Sequence, residues 1–138
     1  MSIQEEEQAI IEEFSVFEDW MDKYEYIIEL GKSLEIINEC EKIEENLIRG
    51  CQSRVWLSSR FEDGRIFFSA DSDAIITKGI IALLVRVYNG RTPKEILSSD
   101  FSFVGKIGLK ENLSPTRANG LVSMINQIRN YALAYSVK

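Results

Sequence analysis

The sequence predicts an α+β protein in which a small antiparallel β-sheet packs against helices. Apolar residues recur at helical spacing up to residue 31, and again from residue 75 to the end of the chain. Between residues 52 and 68 the pattern changes to the alternation that is typical of a strand, with a tight-turn signal in its middle. The chain has 138 residues, which fits one domain, 1–138, that can bury a substantial core.

Two helices are predicted at the start of the chain. The second runs from Asp19, a good N-cap, to Gly31, a good stop. The polar residues from 35 to 49 that follow are interpreted as a mobile connection with at most a short helix. The first helix is indicated by apolar residues between glutamate-rich faces, at Ala9, Ile10, Phe14 and Phe17.

The middle of the chain predicts a β-hairpin. Val55 and Leu57 alternate with more polar neighbours, and Asp63-Gly64 supplies the chemistry of a tight turn. The apolar residues 66–68 form the return strand. A strongly apolar helix from about residue 75 to the Asn89-Gly90 stop is then predicted as the central core helix, with Asp71 or Ser72 as its cap.

Two further helices open on clear start signals. Proline at the first helical position favours a helix start, because its missing N–H would be unpaired there anyway. The first of these helices also carries a capping box. The start signals are Thr92-Pro93-Lys94-Glu95 and Ser114-Pro115, and the apolar stripe of the last helix is Leu121, Met124, Ile125, Ile128, Ala132 and Tyr135.

Charge and hydropathy exclude several functional classes. The net charge is −6, and residues 1–69 contain 17 acidic but only 7 basic residues. Such a surface argues against nucleic acid, whose phosphates require clustered Lys and Arg. No apolar run approaches the roughly 20 residues of a membrane helix. The start of the chain lacks the features of a secretory signal, so we expect a cytoplasmic protein with reduced thiols.

Cys51 is the main candidate for chemistry. It lies in Gly50-Cys51-Gln52-Ser53, where Gly50 permits a tight loop. The chain contains no histidine, so a Cys–His nucleophile pair is excluded. Only Arg49 and Arg54 are close enough in sequence to lower the pKa of this thiol. These features favour a thiol that reacts by sulfur chemistry with a partner that supplies the activation.

Other residues admit simpler interpretations. Cys40 lies in a glutamate-rich stretch and is predicted to have no role, although a redox pair with Cys51 is conceivable. Two cysteines without histidine do not complete a structural zinc site unless carboxylates join, so no metal is predicted. The residues 71–73 could bind a cation, but helix capping is favoured. Arg117 is unusual near a helix N-terminus, which suggests a paired or functional role.

Four ordered motifs resemble the SufE family of sulfur acceptors. Together they span roughly residues 10 to 135, nearly the whole chain. The family's active-cysteine motif is matched by Asn46-x-Ile48-x-Gly50-Cys51-Gln52-Ser53-x-Val55-Trp56. The other three matches are Trp20-x-x-Lys23-Tyr24-x-Tyr26-Ile27-Ile28-Glu29-Leu30-Gly31, Asp71-Ser72-Asp73-Ala74 with Lys78-Gly79, and Leu113-Ser114-Pro115-x-Arg117 with Gly120-Leu121.

The resemblance implies a compact fold shared with IscU-type iron–sulfur scaffolds. It also implies that Cys51 accepts persulfide sulfur from a SufS-type or CsdA-type cysteine desulfurase and passes it to a SufBCD-type scaffold. The pyridoxal phosphate belongs to the desulfurase, so the chain needs no cofactor of its own and turns over nothing alone. We expect neighbouring apolar side chains to shield Cys51 until the partner releases it.

The family pattern also gives expectations for supporting residues. Gly50 and Gln52 match the loop that presents the cysteine. Asp71, Asp73 and Arg117 match positions near that loop or the partner surface. A homodimer is compatible with the sequence. Two alternatives stay open: a thiol redox protein that uses Cys40 with Cys51, and an IscU-like scaffold. The scaffold would need about three converging cluster ligands, which this composition does not easily supply.

Overall fold

The core of the computed structural model is a helix that is apolar on almost every side. Eleven of the fourteen residues of this helix, Ile75–Tyr88, are buried. A helix that is apolar all round has to be covered by other elements. Two N-terminal helices, a β-hairpin and the C-terminal helix pack around it. The α+β class with a small antiparallel sheet packed against helices is therefore confirmed.

The structure describes residues 2–34, 36–51 and 53–137, with only the backbone of Lys110. Two single-turn 3₁₀ helices, Glu39–Glu41 and Glu44–Asn46, precede the hairpin. None of the described helices combines the length and apolar character that crossing a membrane requires. The regular elements in chain order are α1 (Ile3–Ser15), α2 (Trp20–Lys32), β1 (Val55–Glu62), β2 (Arg65–Ser72), α3 (Ile75–Tyr88), α4 (Pro93–Ser98), α5 (Phe103–Lys106), α6 (Leu109–Asn112) and α7 (Pro115–Ser136).

The predicted hairpin forms as the turn chemistry requires. Strands β1 and β2 pair antiparallel from Val55 opposite Ser72 to Glu62 opposite Arg65. The connecting residues Asp63 and Gly64 both have positive φ, 51° and 77°. This is the conformation for which Asp-Gly is favoured in two-residue hairpins. Strand β2 packs against α3.

The segment before the hairpin is better anchored than the sequence suggests. Ile37 and Ile48 are buried, and their N–H groups donate to the carbonyls of Ala70 (3.2 Å) and Val55 (2.8 Å). The interpretation of residues 35–49 as a loose connection is therefore wrong for these two positions. Isolated apolar residues in a polar stretch gave too weak a periodic signal to reveal this. The sequence analysis also did not predict the two short helices α5 and α6.

The predicted cap of α3 is wrong. Strand β2 extends through Ser72, and the N-cap position is Ala74, which makes no side-chain capping bond. The Ser72 hydroxyl accepts from the Ala74 N–H (3.2 Å) and donates to the Arg54 carbonyl (2.8 Å). Asp71 instead forms ion pairs elsewhere, as described below. These polar groups join neighbouring segments rather than completing the helix end.

Helix α1 is fixed to α3 by a half-buried ion-pair network. The guanidinium of Arg86 contacts Glu6 at 2.8 Å and Glu13 at 2.6 Å. The Tyr26 hydroxyl of α2 donates to the same Glu13 carboxylate. The hydrogen bond from Arg86 outweighs desolvation and lowers the pKa of the Glu13 carboxyl. Three helices therefore meet at one charged cluster on the surface of the core.

Helices α2 and α3 approach so closely that side chains are excluded where they cross. A Cβ placed on Gly79 would lie 2.1 Å from the carbonyl oxygen of Ile27. A Cβ on Gly31 would lie 2.9 Å from the backbone nitrogen of Gly79. Both contacts are with backbone atoms, which cannot move aside as a flexible side chain can. The two glycines therefore set the distance between these helices.

We predict that Gly79→Ala destabilises the fold by about 3 kcal/mol, because the helices must separate and their packing is lost. Urea unfolding followed by circular dichroism measures this effect. Gly105→Ala is the matched control, since an added Cβ there meets nothing within 4 Å. The control should change stability by about 1 kcal/mol or less. Equal stability of the two variants would contradict the prediction.

Candidate functional site

The loop that carries Cys51 lies on helix α7. Gly50 has a φ of 92°, a conformation that side-chain-bearing residues rarely adopt. A Cβ at this position would also lie 2.5 Å from the Ser123 hydroxyl of α7. One turn earlier, a Cβ on Gly120 would lie 3.3 Å from the Cys51 sulfur. Glycine is therefore required at position 50 for the loop to lie this close to the helix, and a Cβ at position 120 would press on the Cys51 sulfur.

The thiol of Cys51 points towards helix α7. The residue is half-buried and packs against the core, and its Sγ lies 3.7 Å from the Gly120 carbonyl oxygen, to which it donates. Burial raises the pKa of the thiol. Neither Arg49 nor Arg54 lowers it, and Arg49 is paired with Glu44 at 2.9 Å. At neutral pH the resting thiol is therefore protonated and poorly nucleophilic.

A small pocket adjoins the sulfur. Thr77 and Ile80 of α3 line it from one side, and Gly120 and Met124 of α7 line it from the other. Arg117 stands in the same lining and is itself exposed. The pocket combines apolar side chains with three hydroxyls, from Ser53, Thr77 and Thr116, and one cation. Its composition suits a soft, polarisable sulfur atom next to the thiol.

The far end of the loop is attached to the start of α3. The Asp73 carboxylate accepts from the Arg54 N–H at 3.1 Å, and the Asp73 N–H donates to the Arg54 carbonyl at 3.2 Å. The Ser72 hydroxyl donates to that same carbonyl. Asp73 therefore lies beside the loop. Its role in the structure is to fix the point where the loop enters β1.

Asp71 supports the loop from the other side without touching it. Its carboxylate pairs with Lys42 at 2.8 Å and with Lys78 at 3.5 Å. Burial opposes ionisation of Asp71, but hydrogen bonds from Lys42 and from the Ser72 N–H outweigh it and lower the pKa of the carboxyl. The Lys42 ammonium also lies 5.2 Å from the centre of the Trp56 ring. The segment that leads into the loop is thus held to β2 and α3.

Arg117 contacts a helix that is distant in sequence. Its Nη1 donates to the hydroxyl of Tyr24 in α2 at 3.4 Å, and its guanidinium lies 5.9 Å from the centre of that ring. Its N–H also donates to the capping hydroxyl of Ser114. These contacts tie the start of α7 to α2. Its exposure at the pocket edge leaves the cation accessible from outside.

The remaining predicted residues are placed as follows. Cys40 is exposed in the first 3₁₀ helix, and both cysteines are free thiols. Gln52 lies outside the described residues. Among those residues, no group of three or more Cys, Asp or Glu side chains converges in a way that could hold a metal ion.

Sequence reasoning missed the role of α7 in holding the loop. Gly120 and Ser123 are the residues that form the contact, yet only Gly120 carries a signal. A glycine inside an otherwise apolar helix pattern weakens the helix and therefore indicates a close approach. Nothing in the local pattern marks Ser123, because its partner lies 73 positions away in the chain.

Comparison of the sequence with known proteins identifies the family of the chain. The sequence model of the SufE family, described as an Fe-S metabolism associated domain, matches residues 8–132. The chain belongs to the SufE family. An uncharacterized SufE-like protein of Rhizobium etli is 44% identical over 128 residues, which cover 89% of this chain and 86% of that protein. Its counterpart in Rhizobium meliloti is 41% identical, with 89% and 91% covered.

A solved structure supports the fold of this SufE-family chain. The solution structure of a hypothetical protein from Thermus thermophilus superposes with a TM-score of 0.79. The alignment covers 96% of this chain and 97% of that one, at 17% sequence identity. This likeness concerns the fold alone. The family assignment connects the chain to iron–sulfur metabolism.

We predict that iodoacetamide alkylates Cys51 more slowly than Cys40 in the folded protein, because only Cys51 is held in a protein contact. Peptide mapping by mass spectrometry follows both residues in one sample. Burial raises the pKa of Cys51, so its rate should reach half-maximum at a higher pH in the folded protein than in urea. Equal native rates for the two cysteines would refute the shielding.

We predict that Gly120→Ala accelerates the alkylation of Cys51. The added Cβ would lie 3.3 Å from the sulfur, so the loop must shift away from α7. A loss of about 1 kcal/mol of this contact would raise the open population roughly fivefold. Cys40 is the internal reference and Gly105→Ala the control variant. An unchanged Cys51 rate would show that the loop does not depend on this contact.

Proposed function

We propose that this SufE-family chain is a sulfur relay in which Cys51 carries a persulfide. The single observation that supports this most strongly is the geometry of the thiol: it lies on a separately anchored loop, half-buried against Gly120, beside a small pocket. The match to an Fe-S metabolism associated family supplies the biological setting. A loop is also the element that best combines reach with attachment to a rigid scaffold.

The proposed donor is a pyridoxal-phosphate cysteine desulfurase of the SufS or CsdA type, which holds a persulfide on its own cysteine. The Cys51 thiolate attacks the outer sulfur of that persulfide. A new S–S bond forms on Cys51, and the original S–S bond breaks with its electron pair on the desulfurase thiolate. The proton of the Cys51 thiol passes to a base on the partner. No net oxidation occurs, and the exchange follows ordinary thiol–disulfide rules.

The chain supplies little that could deprotonate Cys51 for this reaction. It contains no histidine, and the resting pKa of Cys51 is raised by burial. Activation therefore has to come from the partner, whose active site would receive the loop. The sulfur then passes to a SufBCD-type scaffold, so the chain is a covalent participant that stimulates the desulfurase and turns over nothing alone. The proposed setting is the cytoplasm.

On this proposal, the contact with α7 also protects the persulfide on Cys51 from oxidants and from other thiols. A persulfide is more easily oxidised than a thiol, and other thiols can cleave its S–S bond, so an exposed persulfide would be lost in the cell. The pocket between α3 and α7 lies beside the sulfur and could accept one more sulfur atom from it. Thr77 and Arg117 offer a hydrogen-bond donor and a positive charge to that atom. The same contact that slows the thiol would therefore protect the product.

We predict that incubation with a SufS-type desulfurase and cysteine adds one sulfur atom to the wild-type chain and to Cys40→Ser, but none to Cys51→Ser. Intact-protein mass spectrometry without reductant measures the gain, and a reductant should remove it. A disulfide between Cys40 and Cys51 after peroxide, without any sulfur gain from an active desulfurase, would instead favour the redox-pair alternative. Sulfur on Cys51→Ser would contradict the assignment of the acceptor.

A further inference from the structure

A groove lies on the other side of Gly50 from the Cys51 pocket. One wall is the segment from Glu44 to Arg49, and the other is the outer face of α7 at Ser123, Asn126 and Asn130. The cavity has a volume of about 600 Å³, which is within the usual range for occupied binding sites. Sulfur transfer by Cys51 makes no use of it.

The walls of the groove carry polar groups without partners in the part of the chain that the structure describes. The side-chain amides of Asn126 and Asn130 make no hydrogen bond there. The carboxylate of Glu45 likewise has no ion pair, whereas its neighbour Glu44 is bound to Arg49 at 2.9 Å. The groove therefore offers two amides on one wall and one uncompensated negative charge on the other.

The spacing of the two amides fits an extended polypeptide. Asn126 and Asn130 are four residues apart on one helix face, which places their Cβ atoms about 6 Å apart. An extended strand repeats the same side every two residues, or roughly 6.6 Å. Each carboxamide has both a donor and an acceptor, so it can pair with the N–H and C=O of one peptide backbone. Two successive amides can thus hold one strand.

The negative charge of the groove favours a basic side chain on the segment that binds there. Glu45 is exposed and uncompensated, and the first half of the chain carries a net charge of −10. Electrostatic complementarity favours a Lys or Arg on the bound segment and steers its approach. We propose that the groove binds an extended, basic segment of the desulfurase, with its backbone on Asn126 and Asn130 and its cation on Glu45. This inference deepens the proposed function and rests on it.

The position of the groove explains how such binding would serve the transfer. Ser123 is shared between the groove and the loop, since its hydroxyl would lie 2.5 Å from a Cβ on Gly50. A segment bound in the groove therefore lies directly beside the loop that carries Cys51. The rest of the partner is then held where the loop can enter its active site.

The test is the affinity of the full-length chain for a purified SufS-type or CsdA-type desulfurase, measured by isothermal titration calorimetry. Glu45→Lys should raise the dissociation constant about tenfold or more, because it places two cations face to face. The double variant Asn126→Ala/Asn130→Ala should weaken binding about fivefold. Glu18→Lys, the same charge change in the exposed connection between α1 and α2, is the control and should bind like the wild type.

The outcomes separate the two proposals. All three changes are at exposed positions, and alanine favours the helix at 126 and 130, so urea unfolding should confirm folded variants. If the wild type takes sulfur but Glu45→Lys binds as well as Glu18→Lys, the groove assignment is wrong and the relay stands. If the wild type neither binds nor takes sulfur from any desulfurase of these types, the relay fails, and the groove assignment fails with it.

Discussion

The structure depends on the complete burial of helix α3, which has almost no polar face. Eleven of its residues are buried, so every neighbouring element must turn an apolar surface towards it. Helix α2 meets this requirement by approaching until backbone touches backbone at Gly31 and Gly79. The hairpin covers a second side, and α1 and α7 cover the rest. Because α7 packs against α3, the pocket between them forms at the place where the Cys51 loop lies.

The loop keeps the Cys51 thiol protonated and poorly nucleophilic through its contact with α7. The stabilisation of the buried thiol comes from packing on Gly120 and one weak hydrogen bond from sulfur. Both ends of the loop are fixed more firmly, by the Ile48–Val55 bond at one end and by Asp73 on Arg54 at the other. The residues between these two anchors are held to α7 only by the weak contact of Cys51. They can therefore leave α7 locally while the rest of the fold persists. On the proposed function, this difference in strength is what lets a partner take the thiol.

Local signals predicted the elements correctly where a few adjacent residues determine the conformation. Asp63-Gly64 predicted the hairpin turn, and the capping box at Thr92 and Glu95 forms as expected. The cap of α3 was predicted wrongly because polar residues before a helix can bond other segments instead. In the structure, Ser72 bonds Arg54, which is 18 positions away. The hairpin pairing sets Val55 opposite Ser72, which leaves the Ser72 hydroxyl beside the Arg54 carbonyl instead of at the end of α3.

The candidate site shows the same limit. Cys51 was identified from its own neighbours and from the family motif, because a cysteine between glycine and polar residues stands out within a few positions. The residues that surround Cys51 were not predicted, since they come from α3 and α7, which follow it in the chain. Gly120 and Ser123 become meaningful only when the fold brings α7 against the loop. The candidate residue for chemistry is thus visible in the sequence, whereas the residues that bury it are visible only in the fold.

Helix α7 contributes residues both to the Cys51 pocket and to the groove. Gly120 and Met124 face the sulfur, and Asn126 and Asn130 face the groove on the other side of Gly50. One rigid helix therefore fixes the thiol pocket and the groove relative to each other. The chain contains no histidine, so on the proposed function its partner supplies the acid–base groups and docking has to bring them to Cys51. On the proposed function, substitutions at Asn126 and Asn130 would change partner binding, while Gly120 and Met124 keep the packing around the sulfur.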